Sequence, residues 1–148
     1  MDITIEKMDK SHISAIAEIE RECFSTPWSE NALSEELENP NSRFFVAVIG
    51  DKVIGYGGMH SVMGENYIDN IAVTSSYRKM GVATEILQKL VKTAENENGD
   101  FISLEVRESN EAAISLYEKS EFVRVGVRRN FYQKPIENGI IMTKEIKE

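Results

Sequence analysis

Residues 77–84, YRKMGVAT, combine a glycine with two cationic side chains where an apolar run, residues 68–73, gives way to helical hydrophobic spacing. A strand that enters a helix through such a loop presents free backbone N–H groups at the positive end of the helix dipole. Gly81 has no Cβ and therefore lets an anion approach that backbone closely. The segment predicts a binding site for a phosphate or pyrophosphate group.

The composition limits the kinds of partner. The chain has 148 residues, 41% of them hydrophobic, and a net charge of −8, which predicts one globular domain over residues 1–148. An acidic chain is poorly suited to nucleic acid, although it attracts a basic substrate. The longest apolar run, residues 44–49, is much shorter than a membrane span of about 20 residues, and residues 1–10 lack the apolar core of a signal peptide. We therefore expect a cytoplasmic protein that binds neither nucleic acid nor membrane.

Cysteine and histidine are too few for a disulfide or a zinc site. The sequence has one cysteine, Cys23, and two histidines, His12 and His60, which belong to no ligand motif. Cys23 falls on the apolar stripe of a predicted helix, which favours burial over a nucleophilic role. We expect no metal, and the sequence assigns neither histidine a function.

Hydrophobic periodicity predicts the elements that precede the loop. Residues 2–6 form a strand, and Ile13, Ile16, Ile19 and Cys23 recur at helical spacing after a cap at Asp9 or Ser11. A second, shorter helix carries Leu33 and Leu37 and is entered through Thr26, Pro27 and Ser29. Three strands then form an antiparallel meander, at residues 43–50, 52–60 and 65–73.

The elements after the loop are a long helix, a buried strand, a further helix and a closing strand pair. The long helix carries an amphipathic stripe from Val82 to Ala94, and the shorter one begins at a cap provided by Ser109 or Asn110. The strands lie at residues 101–106, 122–129 and 139–146. The predicted order is β-α-α-β-β-β-α-β-α-β-β, a mixed α/β sheet.

This order, with the loop in its place, resembles the GCN5-related N-acetyltransferases (GNAT). The family pattern R/Q-x-x-G-x-G/A occurs here as Arg78, Gly81 and Ala83. The resemblance implies an α/β (α+β) fold with a mixed, mostly antiparallel sheet of about seven strands and about four helices. It implies acetyl-CoA as cosubstrate, with no metal, and a pyrophosphate site formed by Arg78, Lys79, Met80, Gly81, Val82, Ala83 and Thr84.

The C-terminal third resembles one branch of that family, the ribosomal-protein-alanine N-acetyltransferases, and the resemblance extends over nearly the whole chain. It is carried by LEVRESNEAAISLYEKSEF, residues 104–122, and RRNFY, residues 128–132. It implies that Glu105 is the general base and Tyr117 the general acid. It also implies cofactor contacts at Asn110 and, through backbone groups along the pantetheine arm, at Ile71, Ala72 and Val73.

Two segments resemble the parts of those enzymes that line the acceptor site. They are CFSTPWSE, residues 23–30, and RRNFY, and they imply acceptor contacts at Trp28, Arg129 and Tyr132. The implied partner is the basic N-terminal segment of a ribosomal protein, bound by a monomer or a weak homodimer.

The chemistry of acetyl transfer is consistent with these residue types. An α-amine has a pKa of about 7.7 to 8.0 and must lose a proton before it attacks a thioester, which a carboxylate promotes. The departing thiolate needs a proton, which a phenol donates, and the thioester oxygen needs a donor such as a strand N–H near Val73. We expect direct transfer in a ternary complex without a covalent enzyme intermediate.

The sequence departs from the family pattern after the tyrosine helix. Relatives commonly have Leu-Gly-Phe there, with glycine in the left-handed conformation, whereas this chain has Ser120, Glu121 and Phe122. A left-handed glutamate costs about 1 kcal/mol or more, which predicts a helix end of different construction.

The sequence leaves three functions open. The first is acetylation of a protein N-terminus, the second acetylation of a small amine or a lysine side chain, and the third a regulator that binds acyl-CoA without catalysis. Glu105 and Tyr117 together argue against the third, and the segments at 23–30 and 128–132 favour the first.

Overall fold

The computed structural model describes residues 2–147, which form one seven-stranded sheet and four α-helices. The strands are β1 Thr4–Lys7, β2 Ser42–Ile49, β3 Lys52–Val62, β4 Glu65–Val73, β5 Phe101–Arg107, β6 Val123–Tyr132 and β7 Glu137–Glu145. The helices are α1 Ile13–Cys23, α2 Glu30–Glu36, α3 Val82–Asn96 and α4 Glu111–Lys119, and short 3-10 turns lie at Lys10–His12 and Ser75–Tyr77. The predicted order and the mixed, mostly antiparallel sheet are confirmed.

The sheet is divided by a gap between its two central strands. Its strand order is β1-β2-β3-β4-β5-β7-β6, and β4 and β5 are its parallel pair. These two strands pair only over Glu65–Tyr67 and Phe101–Ser103. Beyond these residues they separate, so the carboxyl ends of β4 and β5 border an opening, where ligands of α/β sheets commonly bind.

Two apolar clusters hold the helices against opposite faces of the sheet. The cluster beneath α1 and α2 includes Ile16, Leu33 and Tyr56. The cluster beneath α3 and α4 is larger and extends to β5 and β7 through Leu104 and Met142. The amphipathic stripes predicted for α1 and α3 therefore face the core, which fixes both helices beside the gap.

A β-bulge in β4 changes which side chains face α1 and α2. Gly58 is paired with Asn70 and Met59 with Ile68, so Asp69 has no partner on β3. An extra residue in one strand interrupts the alternation of side chains between the two faces. As a result Asp69 and Asn70, although consecutive, both contact the groups beneath α1 and α2.

The C-terminal end of α4 is a Schellman motif. Phe122 N–H donates to the Tyr117 carbonyl and Glu121 N–H to the Glu118 carbonyl, both at 3.0 Å. Glu121 is left-handed, with φ +71°, and follows the C-cap Ser120. The prediction of a different helix end is wrong, because the chain builds the usual motif with glutamate in the position that favours glycine.

The caps account for the small differences between predicted and observed boundaries. Asp9 caps the 3-10 turn that precedes α1, Ser29 caps α2, and Asn110, not Ser109, caps α4. Pro27 precedes the Ser29 cap and is therefore outside α2. None of the helices within residues 2–147 is long and apolar enough to cross a membrane.

Candidate active site

Glu105 lies where β4 and β5 separate. It is two residues beyond Ser103, the last residue of β5 paired with β4, and the same register places it level with Asp69. Its neighbours Leu104 and Val106 are buried on the α3 and α4 face, so the Glu105 side chain points to the opposite face. That side chain is 23% exposed, and its Oε1 lies 2.8 Å from Arg128 Nε. No side chain within residues 2–147 hydrogen-bonds its second oxygen, which is left able to accept a proton.

Tyr117 lies on the buried side of α4. It is 7% exposed, and its ring lies 5.7 Å from that of Phe122, but its hydroxyl makes no hydrogen bond with another described residue. Burial raises the pKa of Tyr117 well above its usual value, and the nearby Tyr132 raises it further. The phenol therefore stays protonated at neutral pH and is able to donate a proton.

Tyr132 is a second tyrosine whose pKa is raised. Burial raises it to about 12, with the Glu105 carboxylate as the next cause. Tyr132 in turn contributes to the raised pKa of Tyr117. Its phenol therefore also stays protonated at neutral pH.

Arg107 holds the turn that follows Tyr132. Its guanidinium donates to the carbonyls of Gln133 and Pro135 at 2.9 and 3.0 Å and to Glu137 Oε1 at 3.2 Å. It also lies 4.6 Å from the centre of the Tyr132 ring. Arg107 was given no function from the sequence, although it lies two residues after Glu105 and shares its face of β5.

The loop at residues 78–84 has the geometry expected of an anion site. Gly81 is the N-cap of α3 with φ +83°, a conformation that L side chains rarely adopt, and the space around its Cα is open. The first helical hydrogen bond runs from Glu85 N–H to the Gly81 carbonyl at 3.1 Å. The N–H groups of residues 79–84 find no partner among the described residues, so a pyrophosphate fits their donors.

The two cations of the loop differ in what they contact. Arg78 Nε donates to the Val73 carbonyl at 2.9 Å, and its Nη2 lies 3.2 Å from Cys23 Sγ and 3.7 Å from Glu22 Oε2. Lys79 makes no ion pair within residues 2–147 and has a left-handed backbone, with φ +64°. Arg78 therefore secures the end of β4 through Nε and Nη2, while its Nη1 and the Lys79 ammonium have no partner within residues 2–147.

The edge of β4 offers donors to the gap. Thr74 N–H donates to the carbonyl of Ile54 on β3 at 2.9 Å. Because antiparallel residues alternate between facing their partner strand and facing away, the N–H groups of Ile71 and Val73 point away from β3. They reach the opening that begins after Tyr67, where no strand pairs with them.

The remaining predicted residues lie on several different elements. Asn110 Oδ1 accepts the Ala113 N–H at 3.1 Å as the N-cap of α4. The NH₂ group of Asn110 takes no part in this bond. The Trp28 ring is half-buried, with its centre 5.8 Å from that of Phe44. Arg129 is exposed on β6. Cys23 is half-buried rather than fully enclosed, because it faces Arg78 at the end of α1, and burial raises the pKa of its thiol.

Two polar clusters beneath α1 and α2 were not predicted from the sequence. His60 Nδ1 lies 2.5 Å from Asp69 Oδ2, and its Nε2 lies 2.9 Å from both carboxylate oxygens of Glu36. Glu20 is fully buried beside Tyr56. Within residues 2–147 no three His, Cys, Asp or Glu side chains are grouped to hold a metal ion. The sequence held one signal for the second cluster: Glu20 lies four residues after Ile16 and therefore falls on the apolar stripe of α1.

Comparison with known proteins identifies the family. Residues 13–122 match the family model described as the acetyltransferase (GNAT) family. An N-alpha-acetyltransferase, RimI, of Mycobacterium tuberculosis is 32% identical over 138 residues, covering 88% of this chain and 85% of the relative. The [ribosomal protein bS18]-alanine N-acetyltransferase of Haemophilus influenzae is 31% identical, covering 93% and 95%.

A solved structure gives the same result. The crystal structure of the ribosomal-protein-S18-alanine N-acetyltransferase from Escherichia coli superimposes with a TM-score of 0.91 and 30% identity, covering 99% of this chain and 96% of that one. The predicted fold and family are confirmed. The chain belongs to the GNAT family of acetyltransferases.

Proposed function

We propose that this enzyme transfers an acetyl group from acetyl-CoA to the N-terminal α-amine of a protein, specifically the N-terminal alanine of a ribosomal protein. The observation that carries the proposal is the Glu105 carboxylate, which stands at the opening of the gap and already holds a cation, Arg128, at 2.8 Å. The names of the relatives from Haemophilus influenzae and Escherichia coli support the same acceptor.

Acetyl-CoA supplies the activated acetyl thioester, and three parts of the chain are suited to hold it. The unpaired N–H groups of residues 79–84 bind the pyrophosphate, and Lys79 adds a positive charge. The β4 edge at residues 71–73 offers backbone groups to the extended pantetheine arm. The Asn110 amide, at the carboxyl end of β5, provides a further donor.

Glu105 acts as the general base. Its free oxygen takes a proton from the incoming α-ammonium. Because the pKa of this group is about 7.7 to 8.0, the free energy needed to deprotonate it at neutral pH is small. The Val73 N–H, which points into the gap, donates to the thioester oxygen as negative charge develops there. Tyr117, kept protonated by burial, donates its proton to the departing sulfur.

These steps need no covalent bond to the protein. The acceptor nitrogen loses two protons: Glu105 takes one before the attack, and the second, released as the amide forms, replaces the proton that Tyr117 gives to the thiolate. The amine therefore attacks the acetyl group directly in a ternary complex.

Two peptides test the acceptor. One has a free N-terminal alanine with its lysine blocked, and the other has a blocked N-terminus and a free lysine. We expect acetylation of the first, because a lysine ammonium, with a pKa of about 10.4, is harder to deprotonate by more than two units, or about 3 kcal/mol. Intact mass measurement distinguishes them, and preferential acetylation of the second peptide would replace the proposal with lysine or small-amine acetylation.

The same assay tests the base. Glu105→Gln retains the shape of the side chain but cannot take a proton, so we expect turnover to fall by roughly 10² to 10⁴. Acetyl-CoA affinity, measured by calorimetry, should change little because Glu105 lies outside the phosphate loop. Near-normal turnover in this variant would mean that Glu105 is not the general base and only pairs with Arg128.

A further inference from the structure

Glu20 is a buried carboxylate that the proposed mechanism does not use. It lies on the apolar stripe of α1 with an exposed fraction of 0%. Its Oε1 accepts the backbone N–H of Trp28 at 2.8 Å. Its Oε2 accepts the Tyr56 hydroxyl and, at 3.1 Å, the Asn70 amide. The three donors come from the α1–α2 loop, β3 and β4.

The environment of Glu20 argues against a role in stability alone. None of its three hydrogen-bond partners is a cation, and burial raises the pKa of its carboxyl group above the usual range. A buried carboxylate without a cationic partner stabilises a fold poorly compared with an apolar side chain of similar volume. What the carboxylate does supply is geometry, because two oxygens in one plane fix three donors relative to one another.

The donors that Glu20 fixes lie on the face of the sheet toward which Glu105 points. Trp28 belongs to the loop that precedes α2, and its N–H bond is the contact that ties this loop to Glu20. Asn70 lies at the bulge of β4, one residue from Ile71, whose N–H points into the gap. Because Glu105 is level with Asp69, the neighbour of Asn70, a shift of the loop relative to β4 would change the space beside Glu105 on this face.

We propose that Glu20 is a positioning residue for the acceptor: it sets the α1–α2 loop at a fixed distance from β4 and thereby orients the incoming peptide. This inference rests on the proposed peptide acceptor and concerns the same site. Glu20 touches neither reacting group directly, since its partners are Trp28, Tyr56 and Asn70. It acts on the KM for the peptide and leaves acetyl-CoA binding at residues 79–84 unaffected.

Three variants separate anchoring from charge. Glu20→Met has similar volume but accepts no hydrogen bond, so the Trp28 N–H loses its partner. Glu20→Gln keeps an oxygen for that N–H and removes the ionisable group. Tyr56→Phe removes one donor of the cluster and leaves the bond to Trp28 intact. For each variant we measure kcat, the KM for an N-terminal alanine peptide, the KM for acetyl-CoA, and Tm.

We expect Glu20→Met to raise the peptide KM about tenfold or more while kcat and the acetyl-CoA KM stay within about threefold. Glu20→Gln and Tyr56→Phe should keep a peptide KM close to that of the wild type. Proportional changes in all three constants in Glu20→Met, or a peptide KM raised as much by Gln as by Met, would overturn the proposal.

If Glu20→Met shows no cooperative melting, Glu20→Asp provides the test instead. The aspartate side chain is shorter and cannot reach the donors on the loop and on both strands at once. A raised peptide KM in that variant supports the proposal, and an unchanged one overturns it. If the wild type prefers the lysine peptide, the proposed acceptor is wrong, and the same comparison made with that peptide still tests the positioning role.

Discussion

Arg128 Nε lies 2.8 Å from Glu105 Oε1, so the proposed base is paired with a cation of the protein itself. The Arg128 side chain is 58% exposed, and its guanidinium lies 5.7 Å from the centre of the Phe131 ring. It can therefore leave Glu105 without opening the core. A substrate α-ammonium carries the same charge, and we expect it to displace the guanidinium from the carboxylate.

Replacing Arg128 with glutamine should make peptide binding easier. Exposed ion pairs are worth about 0.2 to 1 kcal/mol, so removing the competing charge should lower the peptide KM by a factor of about 1.4 to 5. The kcat should be retained, because Glu105 keeps its free oxygen. Steady-state kinetics on Arg128→Gln, with Arg124→Gln on the same strand as the control, check this. A kcat that falls tenfold or more would instead make Arg128 the residue that orients Glu105.

Removing the Tyr117 hydroxyl should reduce turnover without unfolding the protein. The ring supplies most of the burial and keeps its contact with Phe122 at 5.7 Å, and the hydroxyl has no hydrogen bond to lose within residues 2–147. We expect Tyr117→Phe to lower kcat by about 10² and to leave Tm nearly unchanged. Tyr67→Phe, an exposed tyrosine on β4, is the control. Equal losses of Tm and activity in Tyr117→Phe would point to packing.

A valine at Gly81 should weaken acetyl-CoA binding beyond what backbone strain explains. Gly81 and Gly50 both have positive φ, +83° and +60°, and both have open space where a Cβ would lie. Valine therefore imposes a similar strain at either position. Only a valine side chain at position 81 would occupy the space over the loop N–H groups. Calorimetric titration should show a large loss of affinity in Gly81→Val and none in Gly50→Val, and equal affinities would refute the pyrophosphate assignment.

The sequence was sufficient to predict the order of elements, because local patterns determine it. The stripe from Val82 to Ala94 and the turn at Gly50 and Asp51 each lie within a short window, and α3 and the β2–β3 hairpin follow from them. The loop at Gly81 could be found for the same reason, since its geometry depends on the strand before it and the helix after it.

The sequence could not predict contacts that depend on register between distant segments. The pairing of β4 with β5 stops after Tyr67 and Ser103, and no local pattern marks that point. The bulge at Asp69 is set by the pairing of β3 with β4, and it turns Asn70 toward Glu20. Arg78 also contacts Cys23, which is 55 residues away in sequence, and no local pattern marks that contact.

The stability of the protein should depend on pH through Glu20. Burial raises the pKa of the folded Glu20 above the ordinary value of 4.5. At a pH between 4.5 and the pKa of the folded protein, the unfolded chain has released a proton that the folded protein retains, so rising pH favours unfolding. The stability from this group is fully present below about 4.5 and is lost as the pH rises through the folded pKa.

Glu20→Gln removes this titration, so its free energy of unfolding relative to the wild type should increase as the pH is raised. Urea unfolding of both proteins from about pH 4 to about pH 8 measures the difference, and other carboxylates cancel in it. A difference that is constant across the range would mean that the folded and unfolded pKa values of Glu20 are the same.

Glycine at position 121 should stabilise the protein without affecting catalysis. Glu121 has φ +71°, and a left-handed L-residue costs about 1 to 2 kcal/mol. Its side chain is 84% exposed and its distance to Lys144 Nζ is 3.5 Å, a pair worth little. Glu121→Gly should therefore gain about 1 kcal/mol, or about 2 to 4 °C in Tm for a chain of this size.

Ser120 provides the matched control at the same helix end. Its φ of −95° suits any residue, so Ser120→Gly only adds freedom to the unfolded chain and should lower Tm. Turnover should be unchanged in Glu121→Gly, because the Phe122 N–H still donates to the Tyr117 carbonyl and the end of α4 keeps its form. A loss of turnover despite a higher Tm would mean that the strained glutamate holds Tyr117 in its reactive position. A lower Tm in both variants would mean that the Glu121 side chain stabilises the helix end more than its backbone strain costs.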